Sequence, residues 1–393
     1  MHTALTIKTM KLLYLTHRCP YPPNKGDRIR CFNILKHLAK QHEVHLAFPA
    51  FSYHEIEQSA HCKAYAKSVT TIYINPHIAM IRCLLGLLSK QPLTTQYFYS
   101  KKLKETIQHQ DFDVALVDCS SMARYVIDVE RPKIIDFVDI DSDKWRFYSQ
   151  HAWPPKSIIY SMEHKRLQLF ENYISKQFNF CLIVSKNEKK LLHSDENVVI
   201  IPNGIDLEFF VPTAQQSNNT LIFTGAMNYL PNIDGVFHFH RAIWPLIKEH
   251  IQDIRFIVAG MSPPHKIRAL ASADTTITGF IPDVREYLVQ ATVCVVPLRI
   301  AKGIQNKILE AMAMGIPVVA TTAANNGIGA RDKQHLLVAD SPDDFARSVL
   351  MLLKDPQLRK TMADNARQFV QENFSWDKHL SNLDELITRL TVK

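Results

Sequence analysis

Short runs rich in β-branched residues alternate with amphipathic segments along almost the whole chain. That alternation limits the fold to parallel sheet covered by helices on both faces. KLLYLT (11–16), EVHLAF (43–48), TTIYI (70–74), DVALVD (113–118), KIIDFV (133–138) and FNFCLIVS (178–185) read as strands. Residues 28–40 carry Ile29, Phe32, Ile34, Leu35 and Leu38 on one helical stripe.

The rhythm breaks at 197–220, where Pro202, Asn203-Gly204 and the polar run QQSNN are turn and linker signals. It then restarts with strands at 221–225, 254–260, 275–279, 292–298, 316–321 and 335–340. Helices are predicted at about 232–250, 283–290, 304–314, 342–353 and 356–372, with a last one at 376–391. The reading is α/β, with two doubly wound Rossmann-like domains, 1–205 and 206–375, and a C-terminal helix that packs back on the first. Two such domains facing each other make a cleft at the carboxyl ends of their strands, where ligands of open α/β sheets bind.

A chain of 393 residues is long enough for two cores. The 46 Lys and Arg against 38 Asp and Glu, net +8, favour anionic partners such as nucleotides, polyphosphates or acidic lipid. Seven scattered cysteines without a CxxC fit a reducing compartment better than a disulfide framework. The N-terminus has no apolar core of a signal peptide, and Met10 is an alternative start. A cytoplasmic location follows, at the inner face of the plasma membrane if IRCLLGLLSK (81–90) and KKLK (101–104) meet anionic lipid. The competing reading buries Leu84, Leu85, Leu87 and Leu88 in the core.

The stretch from 292 to 321 carries the densest chemistry. A strand ends at Leu298, a loop follows, and a helix begins near Ile304. The unpaired N–H groups of a helix start invite a phosphate, and Arg299, Lys302 and Lys307 add cations. Glu310, three residues after Lys307, is its neighbour on the helix surface. Lysine can hold a diphosphate while the carboxylate accepts the hydroxyls of the attached ribose. An ordinary Lys–Glu surface pair is the plainer alternative.

NKILEAMAMGIPVVAT (306–321) resembles the signature of the family 4 retaining glycosyltransferases, whose fold is GT-B. PYPPNKGDRIR (20–30), VSKNE (184–188), IPNGID (201–206) and FTGAMNYLPNIDG (223–235) match further family segments in order. The wording resembles most the bacterial subgroup associated with PEP-CTERM/exosortase exopolysaccharide systems. The resemblance implies transfer of a sugar from a nucleotide-diphosphate sugar to a hydroxyl of a glycan or lipid-linked acceptor, with retention and without a further cofactor. It puts Glu310 on the ribose and makes Gly225, Arg299, Lys302, Gly303, Ile304 and Lys307 donor-side residues. It implies neither a metal nor a nucleic-acid partner. Two departures stand out: the first glutamate of the family's E-x7-E pattern is Lys302, and GAMNYLPNIDG has no cation.

On the acceptor side, His17 follows the first strand as a catalytic or phosphate-binding candidate. Gly26 and Arg28 open the next helix, and Arg28 and Arg30 are either anion-binding or solvated. Asp139 closes a strand as a catalytic candidate, and Asp141 or Ser142 reads as a helix cap. Ser185 and Glu188 have the spacing of a capping box. A sugar-nucleotide epimerase and a non-catalytic nucleotide-sugar-binding protein are the rival functions. A dinucleotide oxidoreductase is disfavoured, since no strand is followed by GxGxxG.

Overall fold

The computed structural model describes residues 9–23, 26–192, 196–212, 219–301 and 303–391. Its contacts divide the chain into two units, Met1–Pro202 with His379–Lys393, and Asn203–Lys378.

Unit 1 is built on seven parallel strands: β1 (Lys11–Leu15), β2 (Glu43–Ala50), β3 (Ser68–Tyr73), β4 (Val114–Asp118), β5 (Lys133–Val138), β6 (Phe180–Ile183) and β7 (Val198–Ile200). Their order is β3-β2-β1-β4-β5-β6-β7, and Leu13 of β1 lies opposite both His45 and Ala115. Every residue of β4 is buried, as expected of a strand with helices on both faces. The order reverses direction between β1 and β4, so the helices that follow these strands leave on opposite faces and open a crevice at their carboxyl ends.

Strand β7 lies inside the stretch that the turn residues mark as linker. Only three residues long, it sits at the sheet edge, too short to show a period. The C-terminal helix Trp376–Thr391 places Asp384 2.8 Å from His37 Nε2. Leu84, Leu85 and Leu88 are exposed rather than buried, which corrects the core reading of that run. The inward positions of their helix are taken by Ala79 and Gly86 instead.

Unit 2 has six parallel strands: β8 (Thr220–Thr224), β9 (Arg255–Ala259), β10 (Thr275–Ile277), β11 (Val293–Val296), β12 (Val318–Ala320) and β13 (Leu337–Val338). The order is β10-β9-β8-β11-β12-β13, with its reversal between β8 and β11. Both of these strands are buried throughout. The helix predicted at 232–250 is Leu230–His238 and Trp244–Lys248 joined through a π-helical turn, Phe239–Ile243, just before Pro245, which has no N–H to give.

Candidate functional site

In unit 2 the reversal point gathers Gly225, Asn232, Lys307 and Glu310. Strand β8 ends at Thr224, and Gly225 takes φ +150°, a conformation open to glycine. A Cβ there would lie 2.7 Å from Asn232 Nδ2 and 3.1 Å from Lys307 Nζ. Space at this turn is therefore reserved for backbone and for the lysine head.

Lys307 belongs to the helix Asn306–Ala313, which follows β11, and it is buried rather than on the surface. Its ammonium donates to Asn232 Oδ1 at 2.6 Å and lies 4.4 Å from the centroid of the Phe223 ring. Asn232 Nδ2 in turn donates to the Ala226 carbonyl at 2.9 Å. The loop GAMNYLPNIDG, which has no cation of its own, thus receives one from the neighbouring helix. Burial pushes the Lys307 pKa down to about 8. Glu310, one turn further on and half-buried, is pushed up to about 7 by burial, with Lys307 opposing the rise. Gln305, at the N-cap position, makes no side-chain cap bond, and its carbonyl accepts from Ile308 N at 2.9 Å. Asn306 Oδ1, at its first position, is buried without a hydrogen-bond partner among the described residues.

Gly303 and Ile304 lie in the loop before the helix, and the Gly303 carbonyl packs against Gly327. Lys302 lies outside the described residues. Arg299 is engaged by Asp234, with Nε 3.0 Å from Oδ2 and Nη2 bonded to Oδ1. A cavity of about 460 Å³, lined by Ser262, Pro263, Arg268, Ala271, Ile277, Thr278 and Gly279, opens beyond the carboxyl ends of β9 and β10. Gly260 links it to the turn at Gly225: its N–H donates to Thr278 Oγ1 at 3.3 Å, and a Cβ on it would fall 1.8 Å from the Gly225 carbonyl oxygen.

In unit 1 the reversal point holds His17. Its Nδ1 is 2.5 Å from Asp118 Oδ2, at the end of β4, and its Nε2 is 3.2 Å from Asp27 Oδ2, in the first turn of the helix Gly26–Leu38. Phe98 meets the imidazole edge-on at 5.6 Å. Burial disfavours the charged ring, but Cys119, Asp118 and Asp27 outweigh it and raise the His17 pKa well above an ordinary imidazole. Asp27 is held low by His17 against the opposing effect of burial. Asp118 and Asp27 carry no signal in the sequence, since only the strand order brings residues 17 and 118 together.

Cys119 has φ +57°, and its Sγ lies 2.9 Å from Ser121 Oγ. Among the described residues, His17, Asp118 and Cys119 form one trio of metal-competent side chains, with donor atoms within 4.8 Å of one another. In this structure the imidazole and carboxylate of that trio already bond each other.

Of the other acceptor-side candidates, the two arginines are tied down. Gly26 is the first residue of its helix, and Arg28 donates to Glu55 Oε1 at 2.9 Å. Arg30 is neither solvated nor available to an anion. It is fully buried, gripping Asp136 through Nε at 2.6 Å and Nη2 at 3.0 Å and the Ile201 carbonyl at 2.9 Å. Asp139 is exposed between Val138, at φ +63°, and Ile140; the surrounding protein and Asp141 raise its pKa. Neither Asp141 nor Ser142 caps the helix Asp141–His151. Carboxylates from elsewhere in the fold serve instead, Glu188 accepting from Ile140 N at 2.9 Å and Glu171 from Ser142 N at 3.2 Å. Ser185 does cap its own short helix, accepting from Glu188 N at 3.3 Å.

Residues 218–355 match the family described as "Glycosyl transferases group 1". An "Uncharacterized 44.6 kDa protein in cps region" of Klebsiella pneumoniae is 23% identical over 396 residues, covering 95% of this chain and 98% of its own length. The sucrose-phosphate synthase of Thermosynechococcus elongatus superposes with a TM-score of 0.73 at 16% identity, over 97% of this chain and 98% of that one. Anabaena HepE in complex with UDP-glucose does so with a TM-score of 0.69 at 14% identity, over 97% of this chain and 100% of that one. The fold is GT-B, and with the matched domain the protein is a glycosyltransferase.

Proposed function

We propose that the protein transfers a sugar from a nucleotide-diphosphate sugar to a hydroxyl of a glycan or lipid-linked acceptor, with retention at the anomeric carbon. The observation that carries this reading is the buried Lys307 ammonium beside Gly225 and Asn232, one helical turn from Glu310. Lys307 and the N–H groups at the start of its helix neutralise the diphosphate, both in the donor and as it departs. Glu310 accepts the ribose hydroxyls, and the cavity beyond β9 and β10 seats the base.

In unit 1, a His17 ring with a carboxylate on each nitrogen is a proton donor rather than a free base. Asp27 is the more exposed of the two partners, so a substrate oxygen would replace it at Nε2. This assigns His17 to an oxygen of the acceptor and Asp118 to holding the ring in place. Asp139 is kept as a second acceptor-side candidate on the strength of its position alone. Retention rests on the likeness of 306–321 to family 4. The cps-region relative and the resemblance to the PEP-CTERM/exosortase subgroup support a role in exopolysaccharide assembly.

The test is a panel of nucleotide sugars incubated with the protein, with and without simple sugar acceptors. Enzyme-dependent release of nucleoside diphosphate and an NMR-assigned product of unchanged anomeric configuration are expected. An epimerised nucleotide sugar formed without acceptor would replace this reading with the epimerase. Binding without any turnover across the panel would favour the non-catalytic protein.

A further inference from the structure

The helix Pro76–Gly86 of unit 1 is inverted relative to an ordinary surface helix. Its inward side carries small or polar residues: Ala79 and Gly86 are buried, Cys83 Sγ donates to the Leu93 carbonyl at 3.5 Å, and Arg82 bonds the Tyr99 carbonyl. A Cβ on Gly86 would meet Gln96 Nε2 at 2.5 Å, so the helix lies close on the one beneath it, Leu93–Tyr97. The outward side carries Ile78, Ile81, Leu84, Leu85 and, just past the helix, Leu88, each 55–95% exposed. Scattered exposed aliphatics are ordinary, but five at spacings of three and four make a continuous apolar stripe.

The stripe extends onto the helix Lys156–Ser175. Arg166 donates to the Gly86 and Leu87 carbonyls at 3.1 and 2.9 Å, and Leu169, one turn along from it, is 74% exposed beside the exposed Lys165. Charge around the stripe is predominantly positive, the exception on the Lys101–Gln108 helix being the exposed Glu105, which pairs with Lys101 at 3.6 Å. From Gln58 to Lys104 the sequence has seven Lys and Arg and no Asp or Glu. Lys90, Lys101 and Lys102 are exposed, and the Arg82 bond to Tyr99 holds the start of the Lys101–Gln108 helix near the stripe. A second copy of the chain seated on this face would bring like charges together, whereas an anionic bilayer satisfies both the aliphatic stripe and its cationic border. Among the described residues no helix is long and apolar enough to cross a membrane.

We propose that this face of unit 1 docks on an anionic lipid surface. Ile81, Leu85 and Leu88 enter the boundary between headgroups and acyl chains, and Lys90, Lys102 and Lys165 meet the lipid phosphates. The docking is independent of the reaction, so no nucleotide sugar enters its test.

The full-length protein is pelleted with phosphatidylcholine vesicles, with and without phosphatidylglycerol, and compared with the triple variant Ile81→Gln/Leu85→Gln/Leu88→Gln. All three side chains are exposed, and circular dichroism checks that the variant is folded. Wild type is expected to sediment with the phosphatidylglycerol vesicles and weakly or not at all with phosphatidylcholine alone. The variant is expected to lose roughly tenfold or more in partitioning. Wild type that stays in the supernatant with phosphatidylglycerol, or a variant that partitions as wild type does, overturns the proposal. So does a solution dimer that the variant disperses in the absence of vesicle binding.

Discussion

Replacing Lys307 by methionine distinguishes a charge kept for a ligand from one kept for the fold. The ammonium is buried and its pKa falls from 10.5 to about 8. Below that pH the folded protein holds the charge at a cost of about 3 kcal/mol. Methionine preserves most of the stem's apolar contacts and removes this cost, but leaves Asn232 Oδ1 without its 2.6 Å donor. An unsatisfied buried acceptor costs roughly 1–3 kcal/mol, so the variant should be as stable as wild type or up to about 2 kcal/mol more stable at neutral pH. A nucleoside diphosphate, by contrast, loses a charge-assisted partner worth about 2–3 kcal/mol, roughly 30- to 150-fold in Kd. The linkage has a definite sign. Between about pH 8 and 10.5 the unfolded state binds the proton that the folded state has released, so wild-type stability rises with pH there, and the methionine variant lacks that rise. Urea unfolding and calorimetric titration with UDP read both quantities. A variant that unfolds at clearly lower urea yet binds UDP as wild type does would refute the reasoning.

Glu310→Gln should weaken UDP binding by roughly 1.5–3 kcal/mol at pH 8. It should also abolish the loss of affinity expected of wild type as pH falls through about 7 and Glu310 takes up a proton; titrations across that range check both. Asp118→Asn should lower the His17 pKa, visible in imidazole NMR shifts, because it removes the buried anion that holds the ring charged. His17 adds stability that is complete below the ordinary imidazole pKa and fades as pH climbs through its raised folded value, so the same variant should flatten that part of the urea-midpoint profile. Arg30→Met should cost about 3–5 kcal/mol in urea unfolding, because it strands the buried Asp136 carboxylate.

The alternation of strands and helices was legible because both sheets are parallel and their inner strands are buried on two sides, which writes β1, β4 and β11 as nearly unbroken apolar runs. What escaped were elements without a period: β7, three residues at an edge, and the helix Lys156–Ser175, where buried Glu163 and Glu171 interrupt any apolar stripe. Those two glutamates are buried because they accept backbone N–H groups of Leu93, Thr94 and Ser142, a tertiary requirement that no local pattern records. At the site, Glu310 and Lys307 stood out by their spacing on one helix. Their environment did not, since the partner of Lys307 proved to be Asn232, 75 residues away, rather than Glu310. The His17–Asp118 contact spans 101 residues and depends on β1 and β4 being neighbours, which strand order decides and sequence periodicity cannot.

A crystal structure with a bound nucleoside diphosphate tests most directly whether the β8–β11 reversal point is the donor site. The expected result is a terminal phosphate within hydrogen-bonding distance of Lys307 Nζ, with both ribose hydroxyls on Glu310 and the base in the cavity lined by Ser262, Arg268 and Thr278. A nucleotide bound elsewhere, with Lys307 still on Asn232 and Glu310 free of the ribose, would contradict it.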